Sequence, residues 1–172
     1  MSSSQKQKTP NIPYMNTKIN PENTQIEITL LLKKYGIKDI QWTELSGQIM
    51  LKFIHHFNIK GVEKQVAFEF KPPYIPKKVK QWNPKSFVYE TIIVNHTGAS
   101  MRLLFWYLES KMKAITWGLE TMEMEMASHV LLSLPDGTEI TLGEIIEKRM
   151  GTPALEGLNR LALEEKDLVT EK

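Results

Sequence analysis

The stretch NPKSFVYETIIVNHTGASMRLLFWYLESKMKAITWG, residues 83–118, decides the fold, because its pattern predicts one long central helix. Asn followed by Pro at its start is typical of a helix N-terminus. From the second half of this stretch through residue 126, apolar residues recur at steps of three or four, which places them on one helical face. They are Met101, Phe105, Leu108, Met112, Ile115, Leu119, Met122 and Met126. We interpret them as a core-facing stripe; a methionine-rich groove for a partner helix is the alternative.

The first half of this helix is open to two interpretations. Residues 94–98 include β-branched residues and a Gly, which are poor helix formers, so the helix either kinks there or begins at Ser100. A continuous helix over 84–117 would be about 50 Å long, and one end would then project or pair with a second copy. Trp106 and Tyr107 lie beside the stripe. They either widen the buried face or form, with Met112, a protein interface.

Length and composition predict one intracellular domain. The chain has 172 residues, of which 41% are hydrophobic, and contains no cysteine. It has no run of eighteen apolar residues and no apolar segment near its N-terminus. We therefore expect neither a membrane span nor a signal peptide, and no thiolate metal site.

The small net charge conceals an uneven distribution. Residues 1–86 contain 14 Lys and 6 acidic residues, for a charge of +8, whereas residues 87–172 contain 8 basic and 14 acidic residues, for −6. A basic segment favours a polyanionic partner, although such charges are also typical of ordinary solvated surfaces.

The N-terminal half predicts a helix followed by β structure. Residues 1–19 are polar and basic, and we expect a disordered arm. Asn20 and Pro21 begin a first helix, for which Ile26, Leu30 and Leu31 supply the apolar side. Alternation of apolar and polar residues then predicts strands over 40–42, 49–57 and 65–70, with turns at 46–47 and 58–61.

The remainder of the chain predicts a linker and two short helices. Residues 71–85, KPPYIPKKVKQWNPK, contain four Pro and predict an extended linker inside the domain. Thr121 begins a short helix, residues 134–137 form a turn, and Thr141 and Glu144 have the spacing of a capping box for a last helix to about Met150. Residues 151–172 predict a charged tail or marginal helix.

The predicted fold class is α+β, in a single domain over residues 20–150. It comprises an N-terminal helix, an antiparallel β-hairpin sheet of two or three strands, a long central helix and two short C-terminal helices.

The segment from Arg102 to Ile146 carries a resemblance. A long helix that ends at Gly118 is followed by a short helix and then by LPDGTEITLG, residues 134–143. With the preceding helix and hairpin, this order resembles a loose set of small uncharacterised proteins from phages and related mobile elements. The resemblance implies a role around DNA or host defence, in the cytoplasm of a host cell or a virion interior. It implies no catalytic residues.

No catalytic, cofactor or metal motif is present. His55 and His56 are adjacent on a predicted strand and therefore face opposite sides, so they do not predict a shared metal site. The chain has no GxxxxGK[ST], GxGxxG, HExxH or GxSxG motif. We therefore expect a protein that is not an enzyme.

Two binding functions remain, in different classes. In the first, the long helix pairs with a second copy or with another protein through Trp106, Tyr107 and Met112. In the second, lysines and aromatic residues over 71–89 bind single-stranded nucleic acid, because lysines neutralise phosphates and aromatic rings stack on bases. The candidate residues of that second site are Lys71, Tyr74, Lys77, Lys78, Lys80, Trp82 and Lys85.

Overall fold

The computed structural model describes residues 13–150 and shows a mixed α+β protein. Its α-helices and strands, in chain order, are α1 Pro21–Lys34, β1 Asp39–Leu45, β2 Gln48–Ile59, β3 Val62–Phe70, β4 Pro76–Asn83, β5 Val88–Asn95, α2 Thr97–Thr116, α3 Met122–Glu125, β6 Leu131–Ser133, β7 Glu139–Thr141 and α4 Leu142–Met150, and a 3-10 turn, Ala127–His129, lies between α3 and β6. The described chain divides into two compact units, with one boundary inside α2 after Met112. Unit 1 comprises residues 13–36 and 72–112, and unit 2 comprises residues 37–71 and 113–150.

Both predicted ends of the chain extend past the described residues. Residues 1–12 of the predicted arm and the whole predicted tail, 151–172, lie outside them. The last part of the predicted arm instead forms a turn over residues 13–16. The His96 ring nitrogen Nε2 lies 2.9 Å from the Met15 carbonyl oxygen and holds this turn.

In unit 1, α1 begins at the predicted position but buries a different face. Pro21 occupies the start of the helix after Asn20, and Gly36 follows its end at φ +84°, a conformation that favours glycine. The buried residues are Thr24, Ile28 and Leu32. The predicted apolar side was wrong for Ile26 and Leu30, which are 59% and 62% exposed, whereas Leu31 is half-buried. Steps of four from Thr24 define the buried face, and Ile26 and Leu30 lie about 160° away from it.

The predicted long helix over 83–118 is wrong in its first half. Residues 88–95 form strand β5, and the helix starts only at Thr97. Five of the seven residues from Val88 to Val94 are β-branched and a sixth is Tyr89, a composition that favours a strand. Asn83 and Pro84 therefore introduce a hairpin turn and not a helix.

The predicted linker over 71–85 also contains a strand. Residues Pro76–Asn83 form β4, which pairs antiparallel with β5 as a two-stranded sheet, here called the ribbon. The four prolines do not interrupt it: two precede it, Pro76 is its first residue and Pro84 follows its last. Proline is tolerated at such positions because no ladder hydrogen bond is lost there.

Helix α2 is capped by a histidine and buries three residues of the predicted stripe. The amide of Ala99 donates to the His96 ring nitrogen Nδ1 at 3.3 Å, and the Ser100 hydroxyl donates to the Pro73 carbonyl at 2.6 Å. Of the predicted stripe, the fully or largely buried members are Met101, Leu108, Met112, Met122 and Met126. Leu119 is 67% exposed because the helix ends before it. Leu104, which the predicted stripe omitted, is buried.

Unit 2 is built on the predicted sheet, which has three antiparallel strands in the order β1-β2-β3. The turns at Ser46–Gly47 and Lys60–Gly61 are confirmed, and all four residues have positive φ, as the two-residue turns of hairpins require. Phe53 on β2 lies 5.3 Å from Phe68 and 5.6 Å from Phe70, between ring centroids. These buried rings form the core of the sheet's apolar face.

The C-terminal part of unit 2 contains the predicted short helices and turn, together with strand β6, which was not predicted. The Thr121 hydroxyl accepts from the Met124 amide at the start of α3. The turn at residues 134–137 joins β6 to β7, and the Leu134 amide donates to the Thr138 carbonyl at 2.8 Å. Between residues 13 and 150, no helix is long and apolar enough to cross a membrane.

Candidate functional site

The register of the ribbon sorts its side chains onto two faces of different character. Residues paired across an antiparallel ladder share a face, and alternate residues along a strand change face. Lys78 pairs with Ile93, Lys80 with Thr91 and Trp82 with Tyr89. All six residues are exposed, and we call this side the exposed face. The opposite side, here the second face, contains the half-buried residues Val79, Asn83, Ile92 and Val94 together with exposed Lys77, Gln81, Val88 and Glu90.

An aromatic cluster occupies the turn end of the exposed face. Trp82 meets Tyr89 with centroids 5.2 Å apart and planes at 63°, and it meets Phe87 at 6.4 Å and 75°. Trp82 is 46% exposed, Tyr89 70% and Phe87 76%. Aromatic residues of this size are usually covered in a folded protein, so three together in solvent mark a candidate binding surface.

The charge around this cluster is positive. The ribbon and its turn, residues 76–95, contain four lysines and one glutamate, for a net charge of +3. Unit 1 as described contains nine basic and four acidic residues, for +5, whereas described unit 2 contains eight basic and eleven acidic residues, for −3. The described parts of the two units therefore carry net charges of opposite sign, and the exposed aromatic cluster belongs to the basic unit.

The structure brings only part of the predicted nucleic-acid site together. Lys78, Lys80 and Trp82 share the exposed face, and Lys85 lies in the adjoining turn. Tyr74 is 64% exposed just before β4. Lys77 points to the second face, since it pairs with Val94.

Lys71 does not join this group. It lies in unit 2, where its ammonium contacts Glu144 at 2.9 Å and Glu69 at 3.1 Å. The hydrogen bond that Lys71 donates to Glu144 raises the pKa of Lys71, with burial acting in the opposite direction. Lys52 has the same arrangement with Glu139 and Glu69, at 2.6 Å and 3.3 Å, and its pKa is raised first by Glu139. Glu69, with a side chain only 9% exposed, thus joins two lysines in a structural network.

The candidate stretch 71–89 reached Tyr89 but left out Thr91 and Ile93, which were assigned to the long helix. The signal that identifies them is the run of β-branched residues after Phe87, taken together with the proline-free stretch 77–83.

The predicted protein interface on α2 is only partly on the surface. Trp106 and Tyr107 are 43% and 38% exposed, whereas Met112 is fully buried and so is not available at the surface of the chain. Trp106 already has neighbours within unit 1: it stacks on Tyr14 at 6.4 Å and lies 5.8 Å from the Arg102 guanidinium. Arg102 in turn forms an ion pair with Glu27 of α1.

His55 and His56 each pair with an acidic side chain. His55 Nδ1 lies 2.9 Å from a Glu123 oxygen, and His56 Nε2 lies 2.9 Å from an Asp39 oxygen, which confirms that the two rings face opposite sides of the strand. Burial acts to raise the pKa of Glu123, but hydrogen bonds from its own amide, from Thr121 and from His55 outweigh burial and lower it. Within the part of the chain that the structure describes, no three His, Cys, Asp or Glu side chains gather as a metal site.

Comparison of the chain with protein-family models, with curated proteins and with solved structures finds no match. The function is therefore inferred from the residues and geometry of the chain itself.

Proposed function

We propose that this protein is a non-catalytic accessory binding protein that holds single-stranded nucleic acid on the exposed face of its ribbon. The observation that carries the proposal is the cross-strand register, which places Lys78, Lys80, Trp82 and Tyr89 on one solvent-facing surface. The resemblance to proteins of phages and mobile elements, inside a host cell or virion, is compatible with this role.

The chemistry of this face suits unpaired bases. Base stacking on an aromatic ring contributes about 1–3 kcal/mol per base and tolerates any sequence, because every base has a π-face. The lysines alternate along β4 at a spacing of about 7 Å, which is comparable to the distance between successive phosphates of an extended strand. In duplex DNA the base faces are covered by their neighbours, so Trp82 and Tyr89 would have no ring to stack on.

Oligonucleotide binding at two salt concentrations tests the proposal. A fluorescently labelled 12-nucleotide oligothymidine and a duplex of the same length are titrated with the protein, and anisotropy is measured at about 50 and 200 mM NaCl. We expect tighter binding of the single strand and a steep loss of affinity at the higher salt concentration. Equal binding of duplex and single strand, or no binding at low salt, contradicts the proposal.

A second candidate function is self-association or protein binding through α2. The exposure of Trp106 and Tyr107 supports this function. However, Met112 is buried in the core, and Trp106 already stacks on Tyr14. Light scattering at low and high salt distinguishes the two. An oligomer that persists at high salt and dissociates on Trp106→Ala supports association through the helix, whereas a monomer under both conditions argues against it.

A further inference from the structure

A small cavity lies on the second face of the ribbon, close to its turn. It has a volume of about 230 Å³ and is lined by Gln81, Trp82, Asn83, Pro84, Glu90 and Ile92. Sites for drug-sized ligands are typically about 300–1,000 Å³, so this cavity has room for a single small ring system. Trp82 belongs to the exposed face and also lines the cavity, so the two surfaces are continuous.

Two polar groups at this cavity retain unused hydrogen-bonding capacity. Glu90 accepts from the Asn83 side-chain amide at 2.8 Å and from the Ser86 hydroxyl at 3.0 Å, and both bonds fall on the same oxygen, Oε1. Among residues 13–150, no group hydrogen-bonds to the other oxygen, Oε2, or to the side-chain amide of Gln81. Gln81 and Glu90 are direct cross-strand partners, so an acceptor and a donor stand side by side.

From this pairing we infer that the cavity receives one unpaired base of the bound strand and prefers guanine. An ionised carboxylate only accepts hydrogen bonds, whereas a Gln amide both donates and accepts. The Watson–Crick edge of guanine presents two adjacent N–H donors, N1–H and N2–H₂, beside the acceptor O6. The two donors match the one Glu90 oxygen that is free among the described residues, Oε2, and O6 matches the Gln81 amide.

The other bases fit this arrangement less well. Adenine and cytosine place a ring-nitrogen acceptor next to their single amino group, and thymine and uracil place carbonyl oxygens on both sides of one N–H. Each of these presents a lone pair that a neighbouring carboxylate repels. Two matched hydrogen bonds to a base edge discriminate by about 1–3 kcal/mol, which corresponds to roughly 5- to 150-fold in affinity.

This inference rests on the proposed function, and one experiment separates the two. Three labelled 12-nucleotide oligothymidines are compared by anisotropy: one unmodified, one with a central guanine and one with a central hypoxanthine, which keeps N1–H and O6 but lacks the amino group. We expect the guanine oligonucleotide to bind about tenfold more tightly than oligothymidine, with hypoxanthine between them.

The variant Glu90→Gln replaces the carboxylate while keeping an oxygen for Asn83 and Ser86, and we expect the ratio of guanine to thymine affinities to fall below about threefold. Gln81→Ala provides a second variant with the same expected direction, and circular dichroism confirms folding of each. Equal affinity for all three oligonucleotides, or an undiminished guanine preference in both variants, overturns the inference while leaving the proposed function intact. Absence of binding to any of them overturns both.

Discussion

The Phe87 amide donates a 2.9 Å hydrogen bond to the Asn83 carbonyl and closes the turn between β4 and β5. Phe87 adopts φ +54° there, in the left-handed region that bulky residues rarely occupy. This conformation costs an L-residue about 1–2 kcal/mol, and here it holds a phenyl ring 76% exposed beside Trp82. Ser46 and Lys60 adopt similar positive φ values in the hairpin turns of the three-stranded sheet, so turn geometry accounts for the conformation of Phe87.

The variant Phe87→Gly should separate stability from binding. Glycine relieves the strained backbone but loses more conformational entropy on folding, so we expect the free energy of unfolding to change by less than about 1 kcal/mol. Loss of the ring should weaken oligothymidine binding by about 5-fold or more, since one stacked base contributes about 1–3 kcal/mol. Thermal denaturation and anisotropy measure the two effects, and Phe87→Tyr serves as the control that keeps the ring. Unchanged affinity in Phe87→Gly would exclude this ring from the binding surface.

Replacing Trp82 should weaken nucleic-acid binding more than replacing a tryptophan that is even more exposed elsewhere in the chain. Trp82 contacts both other rings of the cluster, so Trp82→Ala removes one stacking surface and loosens the other two. We expect at least a tenfold loss of affinity for oligothymidine. Trp117→Ala is the matched control, because Trp117 is 71% exposed and lies in unit 2. Similar losses in both variants would show that binding does not depend on the ribbon.

The lysines of the exposed face should account for part of the salt dependence of the affinity for single-stranded nucleic acid. Each phosphate contact on a single strand contributes roughly 0.7 to the slope of log affinity against log salt concentration. The double variant Lys78→Gln/Lys80→Gln should therefore reduce the slope by roughly 1.4. Lys38→Gln/Lys64→Gln removes the same charge from exposed positions in unit 2 and should leave the slope unchanged. An equal reduction in both double variants would mean that only the net charge matters.

The type of most helices and strands is predictable from the sequence. The largest wrong prediction, a helix that begins at residue 83, arises from one dipeptide, Asn-Pro. Asn20–Pro21 begins helix α1, whereas the identical Asn83–Pro84 begins the turn of the ribbon. The two differ in their downstream residues, because residues 22–34 carry a helical pattern, whereas residues 88–94 are mostly β-branched. Strand β5 also requires its partner β4. The four prolines over 71–85 predicted a linker there, so β4 was not predicted.

The candidate site is predictable in composition but not in arrangement. The lysines and aromatic residues over 71–89 stand out in the sequence, yet their division between two faces follows from strand alternation, which an extended linker does not impose. Lys71 is not part of the candidate site because it binds Glu144, which lies 73 residues away along the chain. No local pattern predicts a contact over that separation.

Glu144 joins the capping box of α4 to the lysine network of unit 2 and should make stability depend on pH. The Oε1 of Glu144 contacts the Lys71 ammonium at 2.9 Å. In the capping box, Oε2 accepts from the Thr141 amide at 3.1 Å, and the Glu144 amide donates to the Thr141 hydroxyl at 3.3 Å. The hydrogen bond from Lys71, followed by that from the Thr141 amide, lowers the pKa of Glu144 below its ordinary value of 4.5. A carboxyl group whose pKa is lowered by folding stabilises the protein above its ordinary pKa, and this stabilisation is lost as the pH falls through the folded-state value.

The variant Glu144→Gln tests this dependence while preserving the capping box, since Gln also accepts at that position. At pH 7 we expect it to be less stable than the wild type by at most about 1 kcal/mol, because the ion pair with Lys71 is partly exposed. The difference should shrink as the pH is lowered from about 5 to 3, because the wild-type carboxylate is then protonated and the ion pair is lost in both proteins. Glu147→Gln removes an exposed carboxylate from the same helix outside this network, so its stability difference from the wild type should stay small at every pH. Denaturant unfolding at a series of pH values measures both variants, and coincident pH profiles would show that the contact between Glu144 and Lys71 contributes nothing to folding.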